Sequence, residues 1–300
     1  MAKSKGSSSA LGAAGFAPLA LALLVGNAVL PPSGGGKAGK GPPANLEGAL
    51  KPVACGEVEN FRDCHRDYAT GCSASGKYDG YLNLLKNQLP KPDAKPTKIF
   101  TSLSDYAALE QELPDKLAKS NHVDFKDDLS KKGEGHPFGV IGYLYYAKAE
   151  GAESSNCQLT GPENIDYHIG IGFDTTVAGK LAAHKSLTAA DKAEMKQNAV
   201  VVEMTPHYRD LYESDWDVSL LKKVLGSQVK VVGQLLVDNE HYEAKDDCGY
   251  KSPGDACWRA SVWELHPVTS FQVCTQSDGC KADGPGWVEL TEAAAAPAKK

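Results

Sequence analysis

Eight cysteines in 300 residues, with no C-x-x-C pair among them, constrain this chain more than any other feature. They stand at Cys55, Cys64, Cys72, Cys157, Cys248, Cys257, Cys274 and Cys280. Zinc ribbons and dithiol redox sites need closely spaced pairs, because two sulfurs must reach one metal or attack one another. An even set of isolated cysteines reads instead as disulfides formed in an oxidising compartment. Sequence alone leaves their connectivity open, since eight cysteines allow roughly a hundred pairings. The loops between Cys248 and Cys257 and between Cys274 and Cys280 are rich in Gly, Asp and Ser, which points to local pairing within each.

The N-terminus agrees with export to the periplasm, cell surface or medium. Lys3 and Lys5 precede an apolar stretch over residues 11–30 whose dense part, 19–25, is short for a membrane span and follows Pro18. Small residues at Gly26 and Ala28 suit cleavage after Ala28, so 1–28 is expected to be a signal peptide. The alternative is an uncleaved anchor, which would be the only membrane contact expected. A lipoprotein is disfavoured because Cys55 lies far beyond the apolar run.

Residues 29–52 read as a flexible Pro/Gly linker. Residues 53–135 form a cysteine-bearing helical segment. In it Tyr78, Tyr81, Leu82, Leu85 and Leu89, then Tyr106, Leu109, Leu113 and Leu117, recur at helical spacing, with Pro114 interrupting the second set. Residues 281–300 read as a tail.

The stretch 136–280 carries five strand patterns, at 139–146, 165–173, 199–205, 228–238 and within 260–273. The second alternates cleanly, with Ile165, Tyr167, Ile169, Ile171 and Phe173 on one face and Asp166, His168, Gly170 and Gly172 on the other. A helix over 215–225, with Ser214 as cap and Gly226 as stop, falls between the third and fourth strands. An inserted helix over 188–197 starts at Thr188 with Asp191 completing a capping box. Strand, strand, strand, helix, strand, strand is the element order of an OB-fold. The expected fold is therefore mainly β: an OB-like five-stranded Greek-key barrel preceded by a small helical segment. Seven regular strands, as a sandwich would need, are not there.

Histidine and carboxylate recur together on these strands: Asp166 and His168, Glu203 and His207, Asp238 with Glu240 and His241, and Glu264 and His266. On one strand face such residues stand two apart, roughly 6.5–7 Å, a spacing that can present metal ligands. Asp166, His168, Glu203, Glu264 and His266 are therefore candidate ligands for a divalent metal. The competing explanation is an ordinary polar strand face. Tyr143 and Tyr145 share a face of the first strand and, with Asp166 and His168, are candidate ligand-binding residues. P-loop, G-x-G-x-x-G, G-x-S-x-G and H-E-x-x-H motifs are absent from the sequence.

The motifs D-Y-H-I-G-I (166–171), V-E-M-T-P-H (202–207), D-N-E-H (238–241) and W-E-L-H-P-V (263–268) resemble a group of exported bacterial proteins of unassigned activity, over roughly the second half of the chain. The element order is also similar to that of staphylococcal-type nucleases, whose arginine and carboxylate pattern is missing here. With 38 acidic against 32 basic residues, net −6, nucleic acid is not an expected partner. The reading is an exported, disulfide-stabilised OB-like binding module for an unidentified ligand or envelope partner. A metal-dependent hydrolase and a structural envelope protein are the alternatives.

Overall fold

Alternation along the second predicted strand is realised side by side with its neighbours. Tyr167, Ile169 and Ile171 enter the main hydrophobic core, as do Val200, Val202 and Met204 of the next strand. In the computed structural model, which describes residues 50–73, 78–92 and 94–296, these belong to a closed sheet. The expected signal peptide and the linker up to residue 49 lie outside the described residues.

The strands are β1 (Ile99–Phe100), β2 (Pro137–Ala149), β3 (Tyr167–Gly172), β4 (Val200–Met204), β5 (Gln228–Val237), β6 (Trp263–Cys274) and β7 (Trp287–Glu289). β2 pairs antiparallel with β3 through its C-terminal half and with β5 through its N-terminal half. β3 and β4 are antiparallel, β4 and β6 parallel, and β6 and β5 antiparallel, which closes a mixed five-stranded barrel. β1 adds to β2 and β7 to β6. The five barrel strands are the five expected from sequence.

The fold is mixed rather than mainly β, because helix exceeds strand among the described residues. Two short helices, Thr175–Ala182 and Pro206–Tyr212, add to those expected from sequence. The second starts on Pro206 at its first turn with Thr205 as cap, so the proline that ends β4 also opens a helix. Asp217, not Ser214, caps the next helix, Val218–Lys223. After it Gly226 adopts φ +77°, and a Cβ there would lie 2.3 Å from Ala178 O. The Thr188–Asp191 capping box forms as read and starts the helix Ala189–Gln197.

The boundaries drawn at 135/136 and 280/281 do not divide the packing. Phe100, Tyr106, Leu113, Leu117 and Leu129 from the helical segment share one core with the barrel. Leu290 and Ala294, on the helix Leu290–Ala295, belong to the same core, so 281–296 is part of the fold rather than a tail.

Four disulfides staple the chain: Cys55–Cys72, Cys64–Cys157, Cys248–Cys257 and Cys274–Cys280. The last two are the local pairs that loop composition singles out. No helix among the described residues is long and apolar enough to cross a membrane.

Candidate functional site

Residues of opposite phase to the core define the second face of β3, β4 and the start of β6. His168 stands directly across from Glu203 in the β3–β4 ladder. Val202 lies beside Leu265 in the β4–β6 pair, so Glu203 is flanked by Glu264 and His266 on the same face. Asp166 precedes β3, and its carbonyl accepts a hydrogen bond from Glu150 N at 2.9 Å. Asp166, His168, Glu203, Glu264 and His266 thus meet in one cluster, and all are buried.

Their burial comes from outside the barrel. The helix Gly80–Lys86 brings the buried Lys86, and the segment after β2 brings Glu150 and Glu153. The loop stapled by Cys248–Cys257 brings Trp258 and Arg259, with the Trp258 ring 5.4 Å from that of His168. Tyr146 also stacks on His168, at 6.0 Å. The helix Gly80–Lys86, the segment after β2 and the chain following the Cys248–Cys257 staple together cover a charged patch of the barrel wall.

One ligand atom from each of Asp166, Glu203 and His266 lies within 4.8 Å of the others. His168 Nδ1 is 3.0 Å from Glu150 Oε1 and 3.3 Å from Glu203 Oε1. His266 Nδ1 is 3.1 Å from Glu264 Oε1 and 3.4 Å from Glu203 Oε2. Arg259 donates to Glu264 at 2.6 Å and to Asp238 at 3.3 Å. Against this dense pairing, Asp166 Oδ1, His168 Nε2 and His266 Nε2 are buried without a hydrogen-bond partner. Such atoms are uncommon in native interiors and call for an explanation.

The charges set one another. Burial, with Glu153 adding to it, pushes the Asp166 carboxyl up to about 7. Burial opposes charge on His168, yet its bonds to Glu150 and Glu203 raise it to about 9. His266 is likewise raised against its burial by Glu203 and Glu264. Burial alone would raise Glu203, but His266 and His168 hold it well below the usual carboxylate range. Lys86 stays charged despite burial because Glu153, Asp238, Glu203 and Glu264 all favour its ammonium. Without a further cation, the patch balances its acids by keeping protons on its histidines.

The tyrosines lie elsewhere. Tyr143 is half-buried, and Tyr145 is fully buried beside Val177 and Ala178. The Tyr145 hydroxyl accepts from Asp174 N at 2.8 Å and donates to Asp174 O at 3.2 Å, so Tyr145 offers no open stacking face. Gly170 and Gly172 clear no space for a ligand either. A Cβ on Gly170 would lie 2.1 Å from the Tyr146 ring, and one on Gly172 would lie 1.8 Å from the Tyr145 ring. His207 stacks on His65 at 4.2 Å, and His241 packs edge-on to Trp258 at 5.0 Å.

Sequence reasoning missed Lys86, Glu150, Glu153 and Arg259. Lys86 ends an amphipathic helix where a basic residue is unremarkable. Only Arg259, five residues before Glu264, sits close enough to a recognised motif to have been noticed. Comparisons of the chain with protein-family models, curated proteins and solved structures return no match.

Proposed function

We propose that this is an exported, disulfide-stapled binding module on an OB-like barrel, and that its ligand site is the buried His/carboxylate cluster of β3, β4 and β6. The barrel order β2-β3-β4-β6-β5, with helices between its third and fourth strands, supports the OB-like reading. The cluster then lies on the second, third and fifth barrel strands, the first two of which form the wall that OB-folds use for ligands. Four disulfides support export, since such staples persist in oxidising compartments.

The observation that carries the function is convergence. Five ionisable side chains from three strands and one preceding turn meet at one buried place. Burying charges costs stability unless pairing is complete, and here it is incomplete. A fold that holds such a cluster without a ligand spends stability on it, and groups so perturbed concentrate at functional sites.

The double change Asp166→Ala with His168→Ala tests this. A ligand site predicts a folded variant with unchanged circular dichroism and a free-state melting temperature no lower than the parent's. Loss of folding would make the pair structural and end the proposal. Export is checked by fractionating cells that express the full chain and titrating its thiols. Full-length protein retained in the cytoplasm with reactive thiols would contradict it.

A further inference from the structure

We infer that Asp166, Glu203 and His266 form a mononuclear site for a divalent first-row transition metal, with zinc the leading occupant. The inference rests on the cluster being the ligand site and gives that ligand a chemistry.

The first ground is geometry. Three donors from β4, β6 and the turn before β3 already lie within 4.8 Å of one another. Tetrahedral donors around zinc, at roughly 2.1 Å from the metal, stand roughly 3.4 Å apart. A modest inward movement of side chains therefore completes the set.

The second ground is independent of proximity. Asp166 Oδ1 and His266 Nε2 are buried atoms with no hydrogen-bond partner, although each side chain is at most 2% exposed. Glu203 Oε2 has only His266 Nδ1, at 3.4 Å and without hydrogen-bond geometry. A metal ion held through Asp166 Oδ1, Glu203 Oε2 and His266 Nε2 would give partners to unpaired atoms on all three residues together. His168 keeps a further unpartnered nitrogen beside Glu203.

Outer contacts follow the pattern that orients metal ligands. The His266 ring is held through Nδ1 by Glu264, and Glu264 is fixed by Arg259. Carboxylate, histidine and metal in line is a recurrent arrangement, because the carboxylate sets which ring nitrogen is free to ligate.

Charge gives a fourth ground. Asp166, Glu203, Asp238 and Glu264 are buried together with two permanent cations, Lys86 and Arg259. Arg209, also buried, is engaged instead by the carbonyls of Pro162 and Ile165 and by the Tyr167 ring. Glu150 and Glu153 stand at the same patch, so carboxylates outnumber the permanent cations, and a divalent ion would offset part of that excess.

Size and donor type narrow the class. Arg259 is bonded to Glu264 and Trp258 packs near His168, and this close cover favours a single ion over a larger organic ligand. One imidazole with two carboxylates suits zinc, cobalt or manganese better than calcium, which takes six to eight oxygens.

The test uses the full chain with its disulfides formed, purified without chelator. Elemental analysis should find close to one transition-metal ion per chain. Cobalt exchange should give visible d–d bands of a nitrogen- and oxygen-ligated ion. Asp166→Asn, Glu203→Gln and His266→Gln should each weaken zinc affinity by more than roughly 100-fold, and Glu264→Gln by roughly 10–100-fold. Changing the exposed His136 and His184 to Asn should leave affinity unchanged. Metal-free protein whose melting is unmoved by added zinc, manganese or cobalt would overturn the inference, as would metal retained when Asp166→Asn, Glu203→Gln and His266→Gln are combined. Should a ligand variant fail to fold, zinc–cobalt competition and the cobalt spectrum of the parent still decide. If the Asp166/His168 double variant folds but the parent binds no metal, only the metal assignment falls. If the parent carries the metal and that variant unfolds, the site is a structural metal and the binding-module reading falls instead.

Discussion

The stacked histidines His65 and His207 join the cysteine-bearing segment to the barrel, and they should make stability fall in mild acid. His207 is held by a contact between its Nδ1 and Asn87 O at 3.1 Å, and its ring faces His65 at 4.2 Å and Phe61 at 5.4 Å. Asp210 is the one acid whose charge favours its protonation, and Asp210 is already paired with Arg62. Burial therefore wins and lowers His207 to about 4. His65 is lowered as well, by burial first and by His207 second. Because the folded protein resists protonation that the unfolded chain accepts near pH 6.5, the neutral ring's contribution is complete above that value. It is lost as pH falls from there toward 4. At 1.36 kcal/mol per pH unit, the His207 gap amounts to roughly 3 kcal/mol. The measurement is urea unfolding at several pH values between about 7.5 and 4 for the parent and for His207→Gln. The parent should lose roughly 3 kcal/mol more than the variant across that range. A parent-minus-variant difference that stays flat with pH would refute the reasoning, because removal of ordinary packing does not titrate.

Other consequences can be measured on the same scale. Gly172→Ala places a Cβ 1.8 Å from the Tyr145 ring and should cost roughly 1–3 kcal/mol in chemical denaturation, partly recovered by adding Tyr145→Leu; strictly additive losses would show that the ring is not the obstacle. Replacing Cys64 and Cys157, 93 residues apart, by Ser should cost about 4–5 kcal/mol, against about 2 for Cys274 and Cys280, six apart. Equal losses would mean that loop closure does not set the ranking. In metal-free protein, Lys86→Met should destabilise by about 3–5 kcal/mol, because it strips a buried cation from several carboxylates. A neutral outcome in unfolding curves would show that those acids are compensated some other way.

Strands were legible because their periodicity is dictated by a one-sided core. Tyr167, Ile169 and Ile171 had to share a face, and so His168 had to share the other with its neighbours. Convergence of Asp166, Glu203 and His266 was legible only as a possibility, since a strand's pattern says which face a residue takes and not which strand lies beside it. The parallel pairing of β4 with β6 is what brings Glu203 to His266. Helices such as Pro206–Tyr212 were missed because they are seven residues long and lean on a cap and a proline rather than on an apolar stripe. Tyr145 was misplaced because an alternating aromatic run looks the same whether its outer face meets solvent or a helix. The helix Thr175–Ala182 covers it, and nothing local announces that cover.

The Cys64–Cys157 bond has a consequence for how the protein responds to proteolysis. It encloses β1 and nearly all the chain between the first helical turns and the β2–β3 connection. A protease that cuts once anywhere from residue 73 to 156 yields two polypeptides that cannot separate, because each retains one half of that bond. Lys86, Glu150 and Glu153 would all remain attached to the barrel. A nicked molecule should migrate as one species until a reductant is added.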